Sequence, residues 1–214
     1  MGWGAENMRT ARVGGFWAVV FLLGCAHARP RDASSQPLPE PGPPAQTDGL
    51  SRQSLAEGPQ VRIEGERYID PQLGFEISRP AGNWFFAPGQ PVAEGIAVPV
   101  IVAQPESGAQ VVVQVAPAVA TATQFAIRLT SGLKSRPGFS TGSPAPLEGT
   151  DDGVGFSFTM GDAVTGRVAI VPGAGRMFVL LATWPTRCAP SVVSGVDRIV
   201  RSLRTEAAQA KRGS

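Results

Sequence analysis

Residues 154–184 read VGFSFTMGDAVTGRVAIVPGAGRMFVLLATW, and the fold is decided here. Val154, Phe156, Phe158 and Met160 alternate with Gly155, Ser157 and Thr159, the period of two that marks a strand with one buried face. Gly161-Asp162 offers a turn before the run from Val164 to Val171, and Pro172-Gly173-Ala174-Gly175 turns the chain again into Met177 to Trp184. Connections this short join antiparallel neighbours, so three consecutive strands should form a meander. Asp151-Asp152-Gly153 stands ahead of it as a turn, with a glycine at the position that a positive φ favours.

Toward the N-terminus, Ile96 to Ala103 and Ala109 to Ala116 are β-branched runs separated by Gln104-Pro105-Glu106-Ser107-Gly108, which predicts a hairpin. Val111, Val113 and Val115 alternate with Val112 and Gln114, so the second of these strands should be buried on one face and partly on the other, as a central strand is. Farther back, Val61 and Ile63 open an alternating run toward Tyr68 and Ile69, while Leu73, Phe75 and Ile77 alternate with Gly74, Glu76 and Ser78. Both read as strands, with Asp70-Pro71 as the turn between them.

Two helices complete the pattern. Thr121 followed by Gln124 matches a capping box, and Ala122, Phe125, Ala126, Leu129 and Leu133 recur at spacings of three and four until Pro137-Gly138. Val192, Val193, Val196, Ile199, Val200 and Leu203 form one apolar stripe at helical period. Ser191, after Pro190, is placed to cap that helix, and Arg198, Arg201 and Arg204 lie toward its C-terminal end, where positive charge complements the helix dipole. The expectation is an α+β domain, an antiparallel sheet of about six to eight strands packed against two main helices.

The run Tyr68-Ile69-Asp70-Pro71 through Gly74-Phe75-Glu76-Ile77, followed by Pro80 and Trp84, resembles the opening of PsbP-like domains and of the related DcrB-type bacterial lipoproteins. The end of the chain is similar as well. Arg176-Met177-Phe178-Val179-Leu180, then Pro185, then a helix closing on Ile199-Val200-Arg201-Ser202-Leu203, looks like the final strand and helix of that family. Between these ends the match is to the order of elements. The resemblance implies a PsbP-like sheet-and-helix scaffold used for docking and assembly, and it carries no catalytic residues to transfer. The glycine-rich meander and Leu203, where an aromatic residue is common, depart from the family's pattern.

At the N-terminus, Arg9 and Arg12 precede an apolar core from Val13 to Leu23, about 11 residues where a signal peptide has roughly 7 to 15 and a bilayer span needs about 20. Leu22-Leu23-Gly24-Cys25 closes it as a lipoprotein signal, cut between Gly24 and Cys25, with Cys25 as the lipidated first residue of the mature chain. Ala26 lacks the aspartate that retains many bacterial lipoproteins in the inner membrane, so the expected place is the outer membrane, facing the periplasm. Pro30, Pro37, Pro39, Pro41, Pro43, Pro44 and Pro59 then stand among Ser, Gln, Asp and Gly. Such a stretch favours extended polyproline II and, at roughly 3.1 Å per residue, would reach up to ~100 Å. The expected organisation is a signal over 1–24, a lipid-anchored Pro-rich tether over 25–59, the α+β domain over 60–205 and a polar tail over 206–214.

Composition narrows the chemistry. With 19 Lys and Arg against 17 Asp and Glu, scattered along the chain, there is no electrostatic footprint for nucleic acid. The single histidine is His27, so the folded part lacks the usual base of a Ser or Cys hydrolase and the commonest metal ligand. If Cys25 carries lipid, Cys188 has no intrachain partner; it reads as a partly buried inert cysteine, with a redox-sensitive thiol as the lesser reading. Asp70 is explained as a turn former. Asp151 and Asp152 read as a hairpin turn in preference to a Ca²⁺ site, which takes about six oxygens. Trp84, Phe85 and Phe86, beside Gly82-Asn83, serve either as core packing or as anchors for a partner protein. The expectation is a non-catalytic, monomeric, lipid-anchored envelope module without metal or cofactor, attached to the membrane by its lipid and binding an envelope protein. The alternatives are a protein that binds a small apolar ligand or lipid between sheet and helix, in a pocket lined by Phe125, Leu129 and Phe158, and an enzyme resting on Cys188 or on Asp70, Asp151, Asp152 or Asp162.

Overall fold

The computed structural model describes residues 60–90, 95–150 and 152–206. Gly24, Cys25, the tether, Asp151 and the tail from 207 onward lie outside the described residues.

The chain begins with β1 (Arg62–Glu64), β2 (Arg67–Asp70) and β3 (Phe75–Ser78), followed by β4 (Phe85–Pro88), β5 (Ala97–Gln104) and β6 (Ala109–Pro117). Helix α1 (Ala122–Lys134) leads through the short strands β7 (Phe139–Thr141) and β8 (Ala145–Pro146) into the meander β9 (Val154–Met160), β10 (Val164–Pro172) and β11 (Arg176–Pro185). Helix α2 (Pro190–Ser202) and the two-residue strand β12 (Arg204–Thr205) follow. The fold is α+β, as the alternation predicts, but with two antiparallel sheets where one was expected. The larger runs β4-β5-β6-β11-β10-β9-β7, with β8 also on β9, and the smaller runs β1-β2-β3-β12.

Alternation along β11 sorts the core into layers. Phe178, Leu180, Ala182 and Trp184 point to one face, where they meet Tyr68, Phe75 and Ile77 of the small sheet and Val192, Val196, Ile199 and Val200 of α2. Met177 and Val179 point to the other face, where Ala122, Ala126 and Leu129 of α1 pack over Phe156, Phe158, Val168 and Ile170. β6 lies between β5 and β11, with Val111, Val113 and Val115 in the first layer and Val112 on the opposite face beside Val98 and Ile101. Each fully buried aliphatic side chain of this kind stabilises the fold by about 1.5–3 kcal/mol relative to exposure.

The helices form where the periodicity places them. At α1 the capping box is complete: the Gln124 N–H donates to Thr121 Oγ1 at 3.2 Å, and the Thr121 N–H donates to Gln124 Oε1 at 3.3 Å. At α2 the expected cap is corrected. Ala189 occupies the N-cap without a side-chain bond and Pro190 opens the helix, so Ser191 is already inside the first turn. At the other end, Ser202 Oγ accepts from the Ser78 N–H at 2.8 Å and donates to Ile199 O at 2.7 Å, which ties α2 to β3.

Two further expectations change. The alternating run from Val61 to Ile69 breaks into a hairpin, because Gly65 takes φ +61° and pairs Glu64 with Arg67 across a two-residue turn. Gly153 does not take the positive φ expected of it. A Cβ there would collide with Thr150 Oγ1, so close approach is what this glycine supplies.

Candidate functional site

The aromatic triplet predicted as a partner contact is divided by strand alternation. Trp84 is 5% exposed and belongs to the core, and this corrects its reading as a surface anchor. A Cβ on Gly195 would lie 2.9 Å from Trp84 Cζ2, so the glycine within the buried stripe of α2 gives the indole room against the helix. Phe86 turns to the same side, half-buried, with its ring centroid 5.8 Å from that of Tyr68. Arg79 covers both, donating from Nη1 to Trp84 O at 2.7 Å and lying 5.8 Å from the Phe86 centroid. Phe85, paired with Ala103 on the edge strand β4, faces the opposite way and is 43% exposed. Of the three, Phe85 is the ring presented to solvent.

Among the described residues, the other predicted chemistry does not assemble. Asp70 is buried and accepts from the Leu73 N–H at 2.9 Å, the side-chain turn expected of it. Asp152 and Asp162 are exposed, and Cys188 is a free thiol packed against the main core. Among the described residues, no three of His, Cys, Asp and Glu come together as a metal site requires. Phe125, Leu129 and Phe158 pack with one another under α1, and the Phe158 ring occupies the place a side chain at Gly166 would take. The expected pocket between helix and sheet is therefore filled by its own lining.

A groove opens instead where β5 begins, beside a bulge that carries a proline in a buried run. β5 pairs with β6 at Ala97↔Val115 and again at Val100↔Val113, so Val98 and Pro99 together face the single residue Gln114. Proline has no N–H to give the ladder and within a sheet belongs at an edge or a bulge. Pairing with β6 resumes beyond the bulge at Ala97↔Val115. Leu73, Ile96, Ala97, Val115, Pro117 and Arg176 are among the residues that line a groove of about 410 Å³ beside the bulge. An adjoining hollow of about 180 Å³ shares Leu73 and Arg176 and reaches Glu206.

The bulge is held from both sides. Pro99 O accepts from the Tyr68 hydroxyl at 3.3 Å and from the Gly89 N–H at 3.3 Å. Burial, with the Asp70 carboxylate adding to it, pushes the Tyr68 hydroxyl up to about 12 from its ordinary value of 10.0. Arg176 Nη1 donates to Gln72 O at 2.7 Å. No carboxylate among the described residues forms an ion pair with that guanidinium. No motif in the sequence marks this groove. Pro99 in the run from Ile96 to Ala103 signals the bulge beside it.

No protein-family model matches the chain, and no curated protein matches it. Among solved structures, the chain is similar to the PsbP (CyanoP) protein of Synechocystis at 16% identity and a TM-score of 0.44, over 69% of this chain and 99% of that one. It is also similar to LpqN of Mycobacterium tuberculosis, described as involved in cell envelope biogenesis, at 16% identity and a TM-score of 0.38, over 67% of this chain and 88% of that one. A Bacteroides thetaiotaomicron protein matches at 15% identity and a TM-score of 0.37, over 67% of this chain and 49% of its own. These likenesses concern the fold.

Proposed function

We propose that the chain is a lipid-anchored protein of a bacterial cell envelope, held through Cys25, whose folded, monomeric domain docks a protein partner and does not turn over a substrate. The observation that carries this reading is the sequence Leu22-Leu23-Gly24-Cys25 at the end of an 11-residue apolar core from Val13 to Leu23, with Arg9 and Arg12 before it and a proline-rich run after it. A domain on such a tether is held at high effective concentration near membrane-bound partners. The outer membrane is the proposed site, on the strength of Ala26 after the lipidated residue. Phe85 is the proposed anchor for the partner, since an exposed aromatic ring on an edge strand offers a large contact area at low entropic cost.

Cys25→Ala removes the thiol acceptor, and the variant is expected to incorporate no labelled palmitate. Labelling equal to that of the wild type would overturn the anchor. For the docking surface, a photocrosslinking residue placed at Phe85 in living cells should capture one defined envelope protein. The same residue at Ile127, also exposed but on α1, should not. Equal capture from both positions would remove Phe85 as the contact.

A further inference from the structure

The groove at the bulged end of β5 has a chemistry of its own, independent of partner docking, and it lies at the opposite end of β5 from the Ala103 that pairs with Phe85. We propose that it binds the carboxylate of a single-chain amphiphile, with the acyl chain against Leu73, Ile96, Ala97 and Val115 and the headgroup on the Arg176 guanidinium.

Volume, lining and charge support this together. A groove of about 410 Å³ falls within the roughly 300–1,000 Å³ of small-ligand sites. Its walls are aliphatic, which suits an acyl chain and offers few polar partners to a sugar or a nucleotide. Arg176 is the cation of the lining, and it is preorganised: it opens β11 opposite Pro117, and its bond to Gln72 O holds the guanidinium while leaving other N–H donors for a ligand. A singly charged, planar carboxylate matches one guanidinium, whereas a dianionic headgroup calls for more positive charge than the groove supplies. Glu206 lines only the adjoining hollow. An anion is therefore disfavoured on the side of that hollow.

The protein to test is the full chain in phosphatidylcholine nanodiscs, titrated calorimetrically with decanoate and, in parallel, with decanol, each against empty nanodiscs. Decanoate should bind saturably above the empty-disc signal, and decanol, with the same chain but no charge, about tenfold or more weakly. Arg176→Gln should weaken decanoate by a similar factor and leave decanol unchanged, while Arg176→Lys should keep most of the difference between the two. Ala97→Trp, which stands opposite Val115 on the groove side of the sheet and fills the groove, should abolish both. Melting curves identify any variant that fails to fold, and for such a variant the decanoate-to-decanol ratio of the wild type decides. Decanoate heats equal to those of empty discs, decanol binding as tightly as decanoate, or full binding by a folded Ala97→Trp would each overturn the site.

Discussion

Tyr68 joins the two sheets through one hydroxyl, since it stands in β2 and donates to the Pro99 carbonyl in β5. It is the protein's single tyrosine, so tyrosinate absorbance reports on it alone. With its pKa pushed to about 12 by burial and by Asp70, the folded chain keeps this proton when the unfolded chain, near the ordinary value of 10.0, has lost it. The contribution to stability is complete below pH 10 and is lost as the pH rises from about 10 to about 12. The titration midpoint of the native protein should stand close to 12 and fall to about 10 in denaturant. A native midpoint near 10 would show the hydroxyl to be solvated. At this scale the sequence was only partly readable. The Asp70 turn could be seen because an aspartate bonds backbone within three residues of itself. Trp84 could not be placed, because its burial depends on Gly195, 111 positions away and on another element.

Among the elements, α2 was the most legible, because a stripe at period 3.6 is encoded within 13 consecutive residues. Val196 lies at its centre and is fully buried. Val196→Asp should cost about 4 kcal/mol or more, the class of loss that follows from burying an unpaired charge. A thermal melt of the variant measures this, and an unchanged midpoint would mean that the stripe is not packed. The short strands were illegible for a related reason. β7, β8 and β12 have two or three residues each, too few to show alternation, and they exist as strands only because β9 and β3 supply their partners. β4 was hidden by its own composition, since the Phe85-Phe86 pair reads as an aromatic cluster until β5 is set beside it. The groove belongs to the same class: Pro99 announces a bulge, but the groove beside it exists only where Leu73 and Arg176 arrive.

Over the whole domain, stability should follow the layering. β6 and β11 are flanked by strands on both sides and have buried side chains on both faces, whereas among the described strands β1 pairs only with β2 and all three of its residues are exposed. Hydrogen exchange should be slowest at Val111–Val113 and Val179–Leu181 and fastest, among the strands, at Arg62–Glu64. Equal protection across these segments would mean that the domain opens only as a unit. The position of β1 also has a mechanical consequence. Its pairing begins at Arg62↔Ile69 and closes at Glu64↔Arg67, next to the turn, so tension entering from the N-terminal side meets the open mouth of the hairpin. Bonds loaded in that geometry yield one after another, as a zip does, instead of resisting together. A pull along the chain would be spent first on three solvent-exposed residues, and β1 would act as a fuse that parts and re-forms while the layers behind it stay closed.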